Sequence, residues 1–174
     1  MDIREIKTKR AIYNAFMKMR SENTLEDIKV KALASEAEIS KATFYLHYKD
    51  IYDLSEQLQK DLIREILSCV SDPALFLTSP RQSFIELEKT FHLQEDKVNT
   101  LFSGKQELRL AAILEQEIKE AVFKVRPELR DDLKTNVRLS YQILGVFCSH
   151  YTNRKHFDPA LVSKELIKLV ESSN

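Results

Sequence analysis

Residues 33–54, LASEAEISKATFYLHYKDIYDL, constrain this chain more than any other stretch. The order of small, apolar and capping residues predicts a helix, a turn, a short helix and the start of a longer helix. Val30, Leu33, Ala34 and Ala37 give a helix over Val30–Glu36 an inward face. Glu38 falls in the turn and Ile39 closes it from below. Ser40 is placed to cap the next helix, because its hydroxyl can accept from free N–H groups of the first turn. That helix is short, Lys41 to about His47. Asp50 then caps a longer helix with Asp53 at its third position, and Leu54, Leu58, Leu62 and Ile66 carry it to about Val70.

The rest of the chain reads as more helix. Two glycines and four prolines in 174 residues leave few breaks between mixed charged and apolar stretches, as expected of a mostly helical protein with short connections. A first helix over Ile3–Arg20 has Ile12, Phe16 and Met19 on one face, flanked by Ile6 and Tyr13, and ends at Ser21-Glu22-Asn23-Thr24. Ser71-Asp72-Pro73 marks a boundary, and Ala74–Leu77 is long enough for one helical turn. Ser79 and Pro80 suit the cap and first position of a helix carrying Phe84, Leu87 and Phe91. Lys97–Phe102 forms a short helix before a break at Ser103-Gly104. Longer helices follow over Gln106–Val125 and Arg130–Tyr151, the second striped by Leu133, Val137, Tyr141, Leu144 and Cys148. Asp158-Pro159 opens a final helix to about Glu171. No fixed repeat period runs through the chain.

Charge balance excludes a bulk argument for nucleic acid. Lys plus Arg equals Asp plus Glu at 27 each, and residues 1–50 carry ten basic against eight acidic side chains. Local placement therefore matters more than the total. Cys69 and Cys148 lack metal spacing and sit among apolar neighbours, the setting of buried free thiols in a reducing cytoplasm. The charged start MDIREIKTKR is unlike a signal peptide, and no apolar run approaches the ~20 residues of a membrane span. The expectation is a cytoplasmic protein without membrane contact.

Enzyme chemistry finds no support. His47, His92, His150 and His156 form no metal spacing with cysteines or acids. There is no nucleophile elbow, phosphate loop or dinucleotide fingerprint. Glu115 and Glu117 read as a solvated helix face. No catalytic residue, metal or cofactor is assigned.

The segment Val30–Tyr48 suits DNA instead. A reading helix must protrude, be held by a packed partner, and present groups that meet bases and phosphates. Leu33, Ala37, Ile39 and Phe44 can hold the two short helices against the first. Lys41 and the adjoining amides favour a phosphate. Thr43 can hydrogen-bond a base or offer its methyl to a thymine methyl, and Tyr45 and Lys49 can reach backbone phosphates. His47 fits a phosphate contact and simple surface packing equally well. Phe44 reads as core and Tyr48 as packing at the junction with the next helix.

Residues 7–54 resemble the N-terminal domain of the TetR family of transcriptional regulators. The resemblance rests on Ala11 and Phe16, Ile28-Lys29-Val30 before Leu33-Ala34, then Ala37, Ile39-Ser40-Lys41, Thr43-Phe44-Tyr45 and His47-Tyr48-Lys49 to Leu54. The run ISKATFYLHYKD is its most specific part. It covers roughly the first third of the chain; the remainder is similar only in helical layout. The resemblance implies an all-α fold: a three-helix DNA-binding head with a helix-turn-helix, residues 1–49, and a larger helical regulatory and dimerisation body, residues 50–174. It implies a homodimeric repressor on a near-palindromic operator in double-stranded DNA, controlled by a small effector. Lys29, Ser40, Lys41, Ala42, Thr43, Tyr45, His47 and Lys49 are its DNA-binding candidates. Three positions depart from the family's habits: Lys29 where Thr is frequent, and Glu38 and Ala42 where Gly is frequent.

In the body, Tyr141, Leu144, Phe147, Cys148, Leu161, Leu166, Ile167 and Val170 are candidates for the dimer interface. Phe84, Phe91, His92, Phe102, Gln116, Phe123 and Tyr141 are candidates for an effector pocket, and each fits ordinary core packing as well. Repression and activation read alike from such a head. The alternative function is a helical adaptor or regulator acting through a protein partner without specific DNA binding.

Overall fold

The computed structural model describes residues 3–153 and 156–172. Among them every regular element is helical and no strand occurs, so the chain is an all-α, multi-helix bundle. The α-helices are α1 Ile3–Glu22, α2 Val30–Glu36, α3 Lys41–Tyr45, α4 Ile51–Leu67, α5 Leu75–Thr78, α6 Pro80–Leu93, α7 Glu95–Leu101, α8 Glu107–Val125, α9 Leu133–Asn153 and α10 Pro159–Ser172. Single 3-10 turns occupy Leu25–Asp27, Gly104–Gln106 and Pro127–Leu129. Contacts divide the chain into two compact units, Met1–Leu62 with Asp96–Gln106 and Ile63–Glu95 with Glu107–Asn174. No helix among the described residues is long and apolar enough to cross a membrane.

The first unit is built around Ile12, Phe16, Leu33, Phe44 and Leu54, all fully buried. Each such side chain contributes about 1.5–3 kcal/mol of burial free energy. The polar run after Arg20 does not stop α1 at once. Ser21 Oγ donates to Lys18 O at 2.7 Å, and the helix closes only after Glu22, where Asn23 N–H and side chain both return to Met19 O. The segment 96–106 folds into this unit, with Leu101 and Phe102 buried. Gln59 of α4, fully buried, donates Nε2 to Leu101 O at 2.9 Å. Gly104 adopts φ 62, a left-handed conformation that lets α7 end and a 3-10 turn begin.

In the second unit α8 packs on α9, α10 lies on α9 and α6, and α5 abuts α6. Ile63, Ile66, Ile118, Val122 and Leu139 are among its most buried residues. Glu117, expected on a solvated face, is instead buried. Arg64 grips it with Nε–Oε2 at 2.7 Å and Nη2–Oε1 at 2.9 Å, the geometry that makes a guanidinium a good partner for a carboxylate withdrawn from water.

Several helix ends differ from the sequence expectation for local reasons. α4 stops at Leu67, because Cys69 and Val70 switch to tighter bonds onto Ile66 O and Leu67 O. Ser79 precedes α6 as its cap residue, yet its hydroxyl caps nothing: its backbone, at φ −147 and ψ 70, leaves the usual extended capping geometry. α9 begins at Leu133 rather than Arg130. Pro127–Leu129 forms a 3-10 turn first, and Asp132 then accepts from Thr135 N–H at 2.8 Å. The largest correction concerns the cysteines. Cys69 and Cys148 are both exposed, since each occupies the outward side of its segment.

Candidate functional site

The segment from α2 to the start of α4 is fixed by backbone and capping bonds. At the end of α2, Ile39 N–H reaches Ala34 O at 2.9 Å and Glu38 N–H reaches Ser35 O at 3.2 Å. This pair of bonds is the Schellman helix end, which requires its penultimate residue to be left-handed. Glu38 supplies it at φ 54 and is the one non-glycine residue at positive φ among those described. A side chain there carries strain that glycine avoids.

Ser40 then caps α3, accepting from Thr43 N–H at 3.0 Å, while the Ser40 and Thr43 hydroxyls meet at 2.8 Å. The helix is anchored from beneath. Phe44 is fully buried, Tyr48 nearly so, and their rings lie 5.7 Å apart. Burial in turn pushes the Tyr48 hydroxyl's pKa up. Beyond the helix, Asp50 accepts from Asp53 N–H at 2.8 Å. Asp53 accepts from Lys49 N–H at 2.8 Å and from Gln57 at 3.0 Å, and these bonds hold its carboxyl below the usual range.

This scaffold determines which candidates face solvent. Lys41, Ala42, Tyr45 and Lys49 are exposed, as is Ser40, although its hydroxyl is engaged by Thr43. Thr43 and His47 are half-buried, the latter with its ring 6.3 Å from that of Tyr48. Lys29 stands at the cap of α2 without a capping side-chain bond, and its ammonium folds back onto Glu26 O at 2.9 Å. Leu46 is 81% exposed.

The seven effector-pocket candidates differ in burial. Phe102 is buried in the first unit and Phe123 in the second. Phe84 and Phe91 are half-buried, whereas His92 and Gln116 face solvent. Tyr141 alone among them lines the groove found in the second unit. That groove has a volume of about 660 Å³ and is bordered by Lys119 of α8 and by Val137, Ser140, Tyr141, Leu144 and Cys148 of α9. Lys119 donates to Glu115 and to Ser140 Oγ, and the bonds from Lys119 and Ser140 keep the Glu115 carboxyl below its ordinary range.

The dimer candidates divide by exposure. Tyr141, Cys148 and Leu161 are exposed, Leu144, Phe147 and Ile167 half-buried, and Leu166 buried. Val170 lies outside the residues whose side chains are described. Leu133 at 76% and Val137 at 59% extend the exposed apolar stripe of α9 toward its start. Among the described residues no group of three His, Cys, Asp or Glu side chains is arranged to hold a metal ion.

Comparison with protein-family models, with curated proteins and with solved structures returned no match for this chain.

Proposed function

We propose that this protein is a sequence-specific DNA-binding transcriptional regulator of TetR-like architecture, acting as a homodimeric repressor. The observation that carries the reading is the presentation of α3. A Schellman turn and a serine cap fix its start, Phe44 anchors it in the core, and Lys41, Ala42, Tyr45, Leu46 and Lys49 are left in solvent around it. A short helix held in this way can enter a major groove end-on while flanking cations meet phosphates. Residues 29–49 carry four lysines against two glutamates, and one of those, Glu36, is neutralised by Lys18 at 2.6 Å.

The apolar stripe Leu133, Val137, Tyr141 and Cys148 supports a second copy as partner. Large apolar side chains recurring on one face of a long helix are a surface that association buries. A fixed dimer would hold two reading helices about 34–36 Å apart, one turn of DNA. Repression then follows from occupation of a promoter rather than from chemistry. A small effector would act by favouring dimers whose heads are wrongly spaced.

Selection of bound duplexes from a random pool, at defined salt and with competitor DNA, tests this reading. A near-palindromic consensus is the expected outcome. A folded dimer that enriches nothing, with and without cell metabolite extract, favours the adaptor that works through a protein partner.

A further inference from the structure

Leu46 is the most exposed large apolar side chain among the described residues. A single exposed leucine is ordinary on a protein surface, so its surroundings decide the matter. It lies one residue beyond α3 in helical conformation, at φ −68 and ψ −23, and its N–H bonds Ala42 O at 3.1 Å. The helical turn therefore continues through it. Ala42 and Thr43, four and three residues earlier, fall on the same side, and Ala42 is exposed as well. Of the large side chains around it, Phe44 and Tyr48 are buried, whereas Tyr45 is 56% exposed.

The polar groups that could read bases here are few. The hydroxyls of Ser40 and Thr43 bond each other, which ties up one of their two donor hydrogens. The outward face presents the methyl of Ala42 and the branched end of Leu46, beside the exposed Tyr45, and lysines at positions 41 and 49 flank it. Apolar groups on a helix in the major groove recognise one feature of the bases, the C5 methyl of thymine. Flanking ammonium groups favour a polyanion over an apolar protein groove as the occupant of this face.

Resting on the DNA-binding reading, we infer that Leu46 is a specificity-determining residue that packs against a thymine methyl in each half-site. Ala42 is the smaller neighbour that gives the base edge room to approach. The half-site accordingly contains at least one thymine whose methyl, and not its hydrogen-bonding edge, is recognised.

The test uses full-length protein and the duplex recovered by selection. Each thymine is replaced in turn by uracil, which removes the methyl and keeps every hydrogen-bonding group. Wild-type protein is expected to lose about four-fold in affinity per half-site at one thymine position, the scale of one buried methyl group. Leu46→Ala is expected to bind the thymine duplex more weakly and to treat thymine and uracil alike at that position. Because Leu46 is almost wholly exposed, circular dichroism of the variant should match wild type. Full discrimination of the selected duplex from a scrambled one, with no uracil effect or with an effect that survives Leu46→Ala, overturns the Leu46 assignment and leaves the DNA-binding reading standing. Loss of all discrimination by wild-type protein removes that reading, and this inference with it.

Discussion

The Arg20 guanidinium is 4% exposed and sets Nη2 2.6 Å from the Ser103 hydroxyl, 83 residues along the chain. Nη1 donates to Asn23 O at 2.6 Å, while Nε finds no partner. Burial pulls the Arg20 pKa down from its ordinary value, with only the nearby charge of Glu26 opposing. The cation thus fastens the 96–106 segment to the end of α1. Ser103→Ala removes the closer of its two acceptors there, leaving the Ser103 carbonyl at 3.5 Å, and should destabilise the protein by about 1–2 kcal/mol. Arg20→Lys should not recover the loss, because one ammonium cannot span both acceptors. Urea unfolding measures both, and a Ser103→Ala change below about 0.5 kcal/mol would mean the contact is replaced by water.

Glu38 is held left-handed by the turn it terminates, so Glu38→Gly should be stabilising. Relief of a left-handed side chain is worth about 1–2 kcal/mol, offset in part by the greater freedom of glycine in the unfolded chain. A net gain of about 0.5–1 kcal/mol is expected, a rise of roughly 1–4 °C in Tm for a chain of this size. Removing the carboxylate should also tighten binding to any DNA. Thermal unfolding and a titration at fixed salt read the two effects separately.

Asp53 gives a pH dependence of defined sign. Its folded pKa lies below the ordinary 3.8, held down first by Lys49 N–H and then by Gln57. A lowered folded pKa contributes stability that is complete above the unfolded value and is lost as pH falls through the folded one. Wild type should therefore be more stable than Asp53→Asn at neutral pH, with the difference closing below about pH 4. A gap that widens on acidification would reverse the assignment.

Tyr45 and Lys49 are exposed, so alanine at either position should leave the fold unchanged and weaken binding to all duplexes alike. For Lys49→Ala the dependence of log affinity on log salt should also become shallower by about one unit. A change confined to one sequence would make the residue a base reader instead.

Val137 is 59% exposed on α9. Val137→Glu should leave the monomer folded and place a charge where the second copy is proposed to sit. Sedimentation at several concentrations should find wild-type dimer and variant monomer. Dimers of equal stability would move the interface elsewhere.

Much of the fold was legible because its signals are local. The Val30–Glu36 helix, the Ser40 cap and the Asp50 cap depend on residues within a few positions of one another. Burial of Phe44 followed from helical spacing alone. The Cys69 and Cys148 expectation failed because apolar neighbours in sequence do not say which way one side chain points. Glu117 escaped for a related reason: its partner Arg64 stands 53 residues earlier. The return of 96–106 to the first unit left no periodic trace at all, since it depends on Arg20–Ser103 and Gln59–Leu101. In the candidate site the solvent-facing positions Lys41, Ala42, Tyr45 and Lys49 were readable from the helical pattern. That the short helix exposes Leu46 was legible too; the extent of that exposure, 81%, depends on how α3 sits over Phe44 and Tyr48.

The central claim is specificity for a DNA sequence, and its most direct measure is a ratio of affinities. Purified full-length protein would be titrated against its selected duplex and against a scrambled duplex of equal length and composition, at about 150 mM salt. The account predicts preference for the selected duplex by about a thousand-fold or more. Binding to the two within a few-fold of each other, by protein shown to be folded, would contradict it.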